Sequence, residues 1–230
     1  MSLKEELSDK IAQIFRERWT ERDGQVVPEY EDIKLTNDAV LINGTVLYAD
    51  LNESTNLVNK YKLQFSAEIY KAYLHCTAKI INEEGGIITA YDGDRIMAVF
   101  IGDSKNSIAA RTALKINWTV NNIINPAIKV QYPQSTYSVG QVVGIDTSDL
   151  FVARTGVRGS NDLVWVGRAA NYAAKLAGRS YPATQITSVV YNQLNDSSKF
   201  GANGDNMWTA TTVSELGDIQ IYTSSWWWEI

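Results

Sequence analysis

The sequence predicts an α+β fold whose strands and helices follow the order β-α-β-β-α-β. The strongest observation is the stretch "TAYDGDRIMAVF", residues 89–100, in which an Asp-Gly pair separates two β-prone runs, as in a tight hairpin. A strand-like run, "GTVLYADL", precedes it, and apolar residues at helical spacing lie on either side of the hairpin. This order is the split βαβ pattern of ferredoxin-like sheets, which carry their helices on one face.

The N-terminal segment predicts an amphipathic helix over residues 3–19. Six apolar residues form one stripe along it, namely Leu3, Leu7, Ile11, Ile14, Phe15 and Trp19. We expect this stripe to pack on the rest of the chain or on a partner subunit. The chain then divides into an N-terminal helix and linker, residues 1–35, and one larger domain, residues 36–230.

The remaining elements follow in order along the larger domain. In "AVLINGTVLYADL", Asn43-Gly44 predicts a turn between two strands. Helices are expected at Leu63–Asn82, from Ser104 to about Val120, and over "RAANYAAKLAG" up to Gly178. Pro126 and Pro133 are expected to bracket a loop or short strand, and "TYSVGQVVGI" and "DLVWVG" predict strands. The C-terminal "SSWWWEI" predicts a strand or an interface patch with extra strands before it.

Composition excludes several classes of protein. No apolar run is long enough to insert into a membrane, and a net charge of −5 disfavours nucleic acid as a partner. The mixed-charge start and the single cysteine, Cys76, predict a cytoplasmic protein. The single histidine, His75, is expected to be a packed or surface helix residue, which excludes a His-rich zinc site. Any catalysis must therefore use carboxylates, metal ions and cationic side chains.

Two carboxylates are candidate metal ligands. Asp50 ends the strand that lies beside the hairpin in this topology, so we expect it close to Asp94. Such a pair can hold two divalent cations, Mg²⁺ or Mn²⁺. The alternative is that Asp92 and Asp94 form only the polar tip of the hairpin, and that Asp50 only caps the next helix.

Two further features are suited to a polyphosphate. The peptide groups of Asn52, Ser54 and Thr55 open a helix, and free N–H groups at a helix N-terminus bind phosphate. Residues 151–181 contain five cationic side chains and only one acidic side chain, Asp162. This basic segment forms either a solvated basic face or a pocket for a polyanion. These five are Arg154, Arg158, Arg168, Lys175 and Arg179. Together with the acidic pair they predict a nucleoside triphosphate site.

Three motifs, "VLYADLNESTNLV", "GGIITAYDGDRIMAVF" and "VGRAANYAAKL", resemble the catalytic domain of class III nucleotidyl cyclases over roughly residues 40–180. The resemblance implies that Asp50, Asp94 and the Leu51 carbonyl bind two divalent cations and that Asn171 positions the ribose. Lys175 stands where that family usually has an arginine for transition-state charge. The resemblance also implies a homodimer with composite active sites.

Two positions that recognise the base in class III cyclases indicate which subgroup of that family the chain resembles. They are Ala90 and Val164, whose side chains cannot hydrogen-bond a purine edge. Together with "RTGVRGSNDLVWVGRAANYAAKL", they make the chain most similar to the pyrimidine cyclases of the Pycsar anti-phage systems, in which cyclic UMP or cyclic CMP activates a separate effector. UTP is the favoured substrate, with CTP as the alternative, and Tyr48, Tyr91 and Arg95 are candidates for reading the smaller ring.

Other hypotheses stay open on the sequence alone. A purine cyclase would need other residues to read the base. A degenerate cyclase-like domain that binds a nucleotide and signals by association would account for Ala90, Val164 and Lys175, but it does not require an acidic pair. A two-metal nuclease would need a long basic groove, which a chain of net charge −5 does not favour.

Overall fold

A computed structural model describes all 230 residues. The helices are α1 Leu3–Arg16, α2 Ser54–Lys60, α3 Leu63–Glu83, α4 Lys105–Thr119, α5 Asn125–Gln131, α6 Arg168–Ala177, α7 Ser188–Asn192 and α8 Asp196–Lys199. The strands are β1 Thr20–Asp23, β2 Asp38–Leu51, β3 Ile87–Asp92, β4 Arg95–Phe100, β5 Gln141–Val157, β6 Ser160–Val166, β7 Thr184–Thr187, β8 Thr209–Val213 and β9 Ile219–Ser224. A π-helical turn, Val120–Ile124, joins α4 to α5.

The chain forms two compact units. Unit 1 comprises Met1–Asn43 and Asp149–Gly167, and unit 2 comprises Gly44–Ser148 and Arg168–Ile230. The long strands β2 and β5 contribute residues to both units. The division at residue 35 stays a prediction.

Unit 1 is built on short strand pairs. β1 pairs in parallel with the first residues of β2, and β6 pairs antiparallel with the last part of β5. Trp19 packs edge-on against Phe151, with 4.9 Å between ring centroids. Helix α1 ends at Arg16 and buries none of its residues, so its apolar stripe is exposed in the single chain.

Unit 2 contains the sheet order β3-β4-β2-β5-β7-β9-β8, which confirms the predicted β-α-β-β-α-β arrangement. Its main core joins α3 and α4 to the sheet, with Tyr73, Ile81 and Leu114 among its fully buried side chains. Val143 and Ile145 of β5 belong to this core. Gly144 between them faces the other way and contacts α6, because successive strand residues point to opposite sides. Helices α3 and α4 thus share one face, as expected, but α6 covers the other, so the expectation that the helices lie on one face is wrong for α6.

Two predicted elements are wrong, and so is the strand alternative for the C-terminal tail, whose other alternative, an interface patch, stays a prediction. Asn43-Gly44 is not a turn: β2 runs through it, and the Asn43 amide donates to the Asp149 carboxylate at 2.7 Å, so pairing overrides the local turn preference. The segment after Pro126 is helix α5, because proline is tolerated in a first helical turn. The tryptophan tail is no strand; Asn117 of α4 binds its first carbonyls.

No helix of the chain is both long and apolar enough to cross a bilayer.

Candidate active site

An acidic pair lies where β2 ends beside the hairpin. Asp50 is the register partner of Arg95, and Asp94 directly precedes Arg95, so the two carboxylates come to the same end of adjacent strands. Burial and, after it, the negative charge of Asp94 together raise the pKa of Asp50 to about 7. The predicted proximity of Asp50 and Asp94 is therefore present, and the pair is electrostatically unfavourable unless a cation neutralises it.

Tyr73 of α3 makes a hydrogen bond to the backbone of Asp50. Its side chain is fully buried, and its hydroxyl donates to the Asp50 carbonyl at 3.4 Å. Burial and the nearby carboxylates hold the pKa of this phenol above its ordinary value, so it stays a donor. The contact of Tyr73 with Asp50 spans 23 positions and has no local sequence signature.

The two aspartates at the hairpin tip, Asp92 and Asp94, have different roles. Gly93 has a φ of 61°, which the tight turn requires, and Asp92 forms an exposed ion pair with Arg95 at 2.6 Å. This hydrogen bond raises the pKa of the Arg95 guanidinium. Asp92 thus belongs to the turn, and Asp94 remains available beside Asp50.

These groups open into a cleft of about 400 Å³. It is lined by residues 50–55 after β2, residues 92–95 of the hairpin and residues 177–179 after α6. Of the residues predicted from the sequence, the cleft unites Asp50, Leu51, Asn52, Ser54, Thr55, Asp94, Arg95 and Arg179. Glu53, in a left-handed conformation with φ 56°, gives α2 no side-chain cap, so sequence reasoning missed a residue that leaves the first N–H groups free.

The donor set fits a hard divalent cation. Two carboxylates come together, and no group of three or more His, Cys, Asp or Glu side chains in the chain is arranged so that it could hold a metal ion by itself. Mg²⁺ and Mn²⁺ are held in this way, by one or two carboxylates together with carbonyl oxygens, waters and substrate phosphates. Asp50, Asp94 and the Leu51 carbonyl are the groups that would hold such ions.

Helix α6 carries the other predicted catalytic residues on its exposed side. Asn171 and Lys175 lie one helical turn apart, and neither makes a hydrogen bond or ion pair within the chain. Neither lines the cleft with Asp50 and Asp94. Arg168, at the start of α6, instead pairs with buried Asp146 at 3.0 Å.

The candidate base-reading residues of unit 2 are Tyr48, Ala90 and Tyr91. Tyr48 is half-buried on β2; burial raises its pKa, and the charges of Arg95 and Asp92 act on it, so it lies close to the hairpin tip. Tyr91 is 58% exposed on β3, so it is not a core aromatic.

Unit 1 contains the other predicted substrate residues. Val164, Arg154 and Arg158 line one groove of about 480 Å³. Arg154 donates to the Asn161 side chain at 2.7 Å and to the Ile33 carbonyl at 3.3 Å. Arg158 is exposed and makes no ion pair, so it is the unengaged cation of the groove.

Comparisons with known proteins first define the class. No family model matches the chain. The adenylyl cyclase CyaB from P. aeruginosa superposes with a TM-score of 0.66 at 18% identity, covering 81% of this chain and 95% of that one. A class III adenylyl cyclase-like ATP-binding protein from Pseudomonas aeruginosa gives 0.68 at 18% identity, covering 87% and 45%. The fold is that of a class III nucleotidyl cyclase catalytic domain.

Sequence relatives then define the family. The chain is 51% identical to the uridylate cyclase of Xanthomonas perforans and 50% identical to that of Burkholderia cepacia, in each case over 100% of both chains. The chain belongs to the uridylate cyclase family and is a nucleotidyl cyclase. The family predicted from the three motifs is confirmed.

Proposed function

We propose that the chain converts UTP to 3′,5′-cyclic UMP and pyrophosphate with two divalent cations, Mn²⁺ or Mg²⁺. The observation that carries the proposal is the half-buried pair Asp50 and Asp94 at one end of the cleft, in a chain whose full-length relatives are uridylate cyclases. Bound between these carboxylates, the cations would supply charge neutralisation on the triphosphate and a lower pKa for the ribose 3′-hydroxyl.

The residues of the cleft bind and orient the nucleotide. The uncapped N–H groups after Glu53 donate to phosphate oxygens, and Arg95 adds positive charge at the hairpin. The 3′-oxygen loses its proton to solvent and attacks the α-phosphorus; the new P–O bond closes the ring, and the bond to the β-phosphate oxygen breaks, so that pyrophosphate leaves. Asn171 orients the ribose, and Lys175 neutralises charge that develops on the α-phosphate.

Asn171 and Lys175 act on the cleft of the partner subunit. Both are exposed, have no partner in their own chain and lie outside their own chain's cleft, which supports a homodimer with two composite sites. We assign Val164, Arg154 and Arg158, which line the groove of unit 1, to base and phosphate contacts.

The choice of base rests on small and aromatic side chains. Ala90 and Val164 offer no hydrogen bond to a purine edge. We assign Tyr48, which is half-buried near Arg95, to contact with the base, where its ring would favour a single-ring base. UTP is preferred over CTP because the relatives are named uridylate cyclases.

The product is a second messenger in bacterial anti-phage defence. We assign the reading of this product to a separate cyclic-nucleotide effector and the enzyme to the cytoplasm. This role is taken from the similarity of the 154–175 stretch to the Pycsar cyclases.

Complementation tests the acidic pair and the composite site together. Asp94→Ala and Asn171→Ala should each abolish cyclic UMP while the fold, followed by circular dichroism, is kept. Mixed and allowed to exchange subunits, the two inactive variants should recover about a quarter of wild-type activity, because half of the dimers then hold one intact site. Asp103→Ala, an exposed aspartate outside the cleft, is the control and should stay active. Full activity of Asp94→Ala would refute the metal site, and no recovery on mixing would refute the shared site.

A nucleotide sensor is the second candidate, since a solved neighbour of this fold is described as an ATP-binding protein. Nucleotide binding without any cyclic product would favour it.

A further inference from the structure

A buried carboxylate on β5 holds the start of helix α6. Asp146 is 0% exposed. Its Oδ1 accepts hydrogen bonds from the Thr187 hydroxyl at 2.5 Å and from the Arg168 guanidinium at 3.2 Å. Its Oδ2 accepts no well-angled hydrogen bond and is balanced only by the Arg168 Nε at 3.0 Å. Removal of this cation would leave the buried carboxylate without a compensating charge, which strongly destabilises a folded protein.

The same contact extends over the first two residues of α6. Arg168 also donates to the Thr147 carbonyl at 2.8 Å, and the Ala169 N–H donates to the Ser148 hydroxyl at 3.0 Å. Three successive residues of β5, 146–148, therefore bind the N-terminus of one helix. This fixes where the helix begins along the strand.

A second contact fixes the middle and end of α6. A Cβ built on Gly144 would lie 2.2 Å from the Ala173 carbonyl oxygen and 2.5 Å from the Ala177 nitrogen. Helix and strand thus meet backbone against backbone, which is possible only at glycine. A helix held at its start and along its length by one strand can neither slide nor rotate on the sheet.

We propose that Asp146 and Arg168 are positioning residues that set the rotation and axial position of α6, and hence of Asn171 and Lys175 on its exposed side. The inference rests on the proposed function, because it assigns these two residues to the partner's cleft. It gives Arg168 a task other than phosphate binding: the guanidinium is directed at β5, not at the substrate.

Kinetics of Asp146→Asn and Arg168→Gln test the proposal. Both should lower kcat on the order of 10- to 100-fold with little change in KM, since a displacement near 1 Å has this effect on reacting groups. The double variant should be little worse than either single one, because both changes break the same contact. Arg168→Lys should lie between wild type and Arg168→Gln.

Glu84→Gln is the matched control. Glu84 is another nearly buried carboxylate of unit 2, paired with Arg111 and Lys115 at 2.7 Å each, and its contacts tie α3 to α4. Glu84→Gln should lower the melting temperature but leave kcat per folded molecule unchanged.

Several results would overturn the proposal. Wild-type kcat in Asp146→Asn, or a loss no larger than in the Glu84→Gln control, would do so. A raised KM in Arg168→Gln that Asp146→Asn does not share would assign Arg168 to phosphate instead. If Asp146→Asn does not fold, the Arg168 variants decide: this side chain is 41% exposed, and Arg168→Lys keeps a cation beside Asp146. An inactive wild type would refute the proposed function, not this contact.

Discussion

The contact of α6 with β5 at Gly144 gives the sharpest single substitution. In Gly144→Ala the new methyl group would lie 2.2 Å from the Ala173 carbonyl oxygen, whereas ordinary contacts begin at 3.4 Å. The obstructing atoms are backbone, so no rotamer change relieves the clash, and α6 must move outward by about 1 Å. Overpacking of this kind costs roughly 1–3 kcal/mol of stability, and the displacement of Asn171 and Lys175 should lower kcat by about 100-fold.

The assay is cyclic UMP formation by Gly144→Ala at saturating UTP, with the folded fraction measured by thermal unfolding. Gly86→Ala is the control, because its Cβ would also be overpacked, at 2.6 Å from the Phe100 ring, at the opposite end of the hairpin from the cleft. It should destabilise the chain without changing kcat per folded molecule. Equal kcat in the two variants would refute the link between the position of α6 and catalysis.

Further predictions concern charge, base choice and acid stability. Lys175→Ala should lower kcat by roughly 10²-fold or more. Lys175→Arg should keep at least wild-type kcat, because the planar guanidinium of arginine can donate to two phosphate oxygens at once. Steady-state kinetics check both variants. Tyr48→Ala should raise the share of cyclic AMP in an equimolar mixture of UTP and ATP by about 10-fold, measured by mass spectrometry, if this side chain limits base size. Burial opposes ionisation of Glu84, but hydrogen bonds from Lys115 and Arg111 outweigh it and hold its pKa below the ordinary 4.5. Its contribution to stability is therefore complete above that value and is lost as pH falls through the lowered pKa, so wild type should lose more stability than Glu84→Gln in urea titrations between about pH 6 and pH 3. Parallel pH curves would contradict this assignment.

The parts of the fold predicted from the sequence are those with local causes. The hairpin follows from Asp92-Gly93, and helices α3, α4 and α6 follow from apolar spacing and from the glycines that end two of them. The approach of Asp50 to Asp94 follows from topology, since the β-α-β-β order puts the first strand beside the hairpin.

The parts that could not be predicted depend on distant contacts. Asp146 and Arg168 are 22 positions apart, and nothing near either residue indicates the other. Asn43-Gly44 has the local chemistry of a turn, but pairing on both sides keeps it in a strand. The same limit applies to the basic segment, residues 151–181. The sequence gives the number of its charges, but only the structure shows that Arg168 is paired with a buried aspartate whereas Arg158 is exposed.

The most direct measurement is a product assay on the purified wild-type chain. It would be incubated with Mn²⁺ and, separately, with UTP, CTP, ATP and GTP, and the products would be resolved by chromatography and mass spectrometry. The account predicts cyclic UMP and pyrophosphate from UTP, with far less product from the other three. Cyclic AMP or cyclic GMP as the main product would contradict the assignment of base choice to Tyr48, Ala90 and Val164, and nucleotide binding with no cyclic product at all would contradict the proposed catalysis itself.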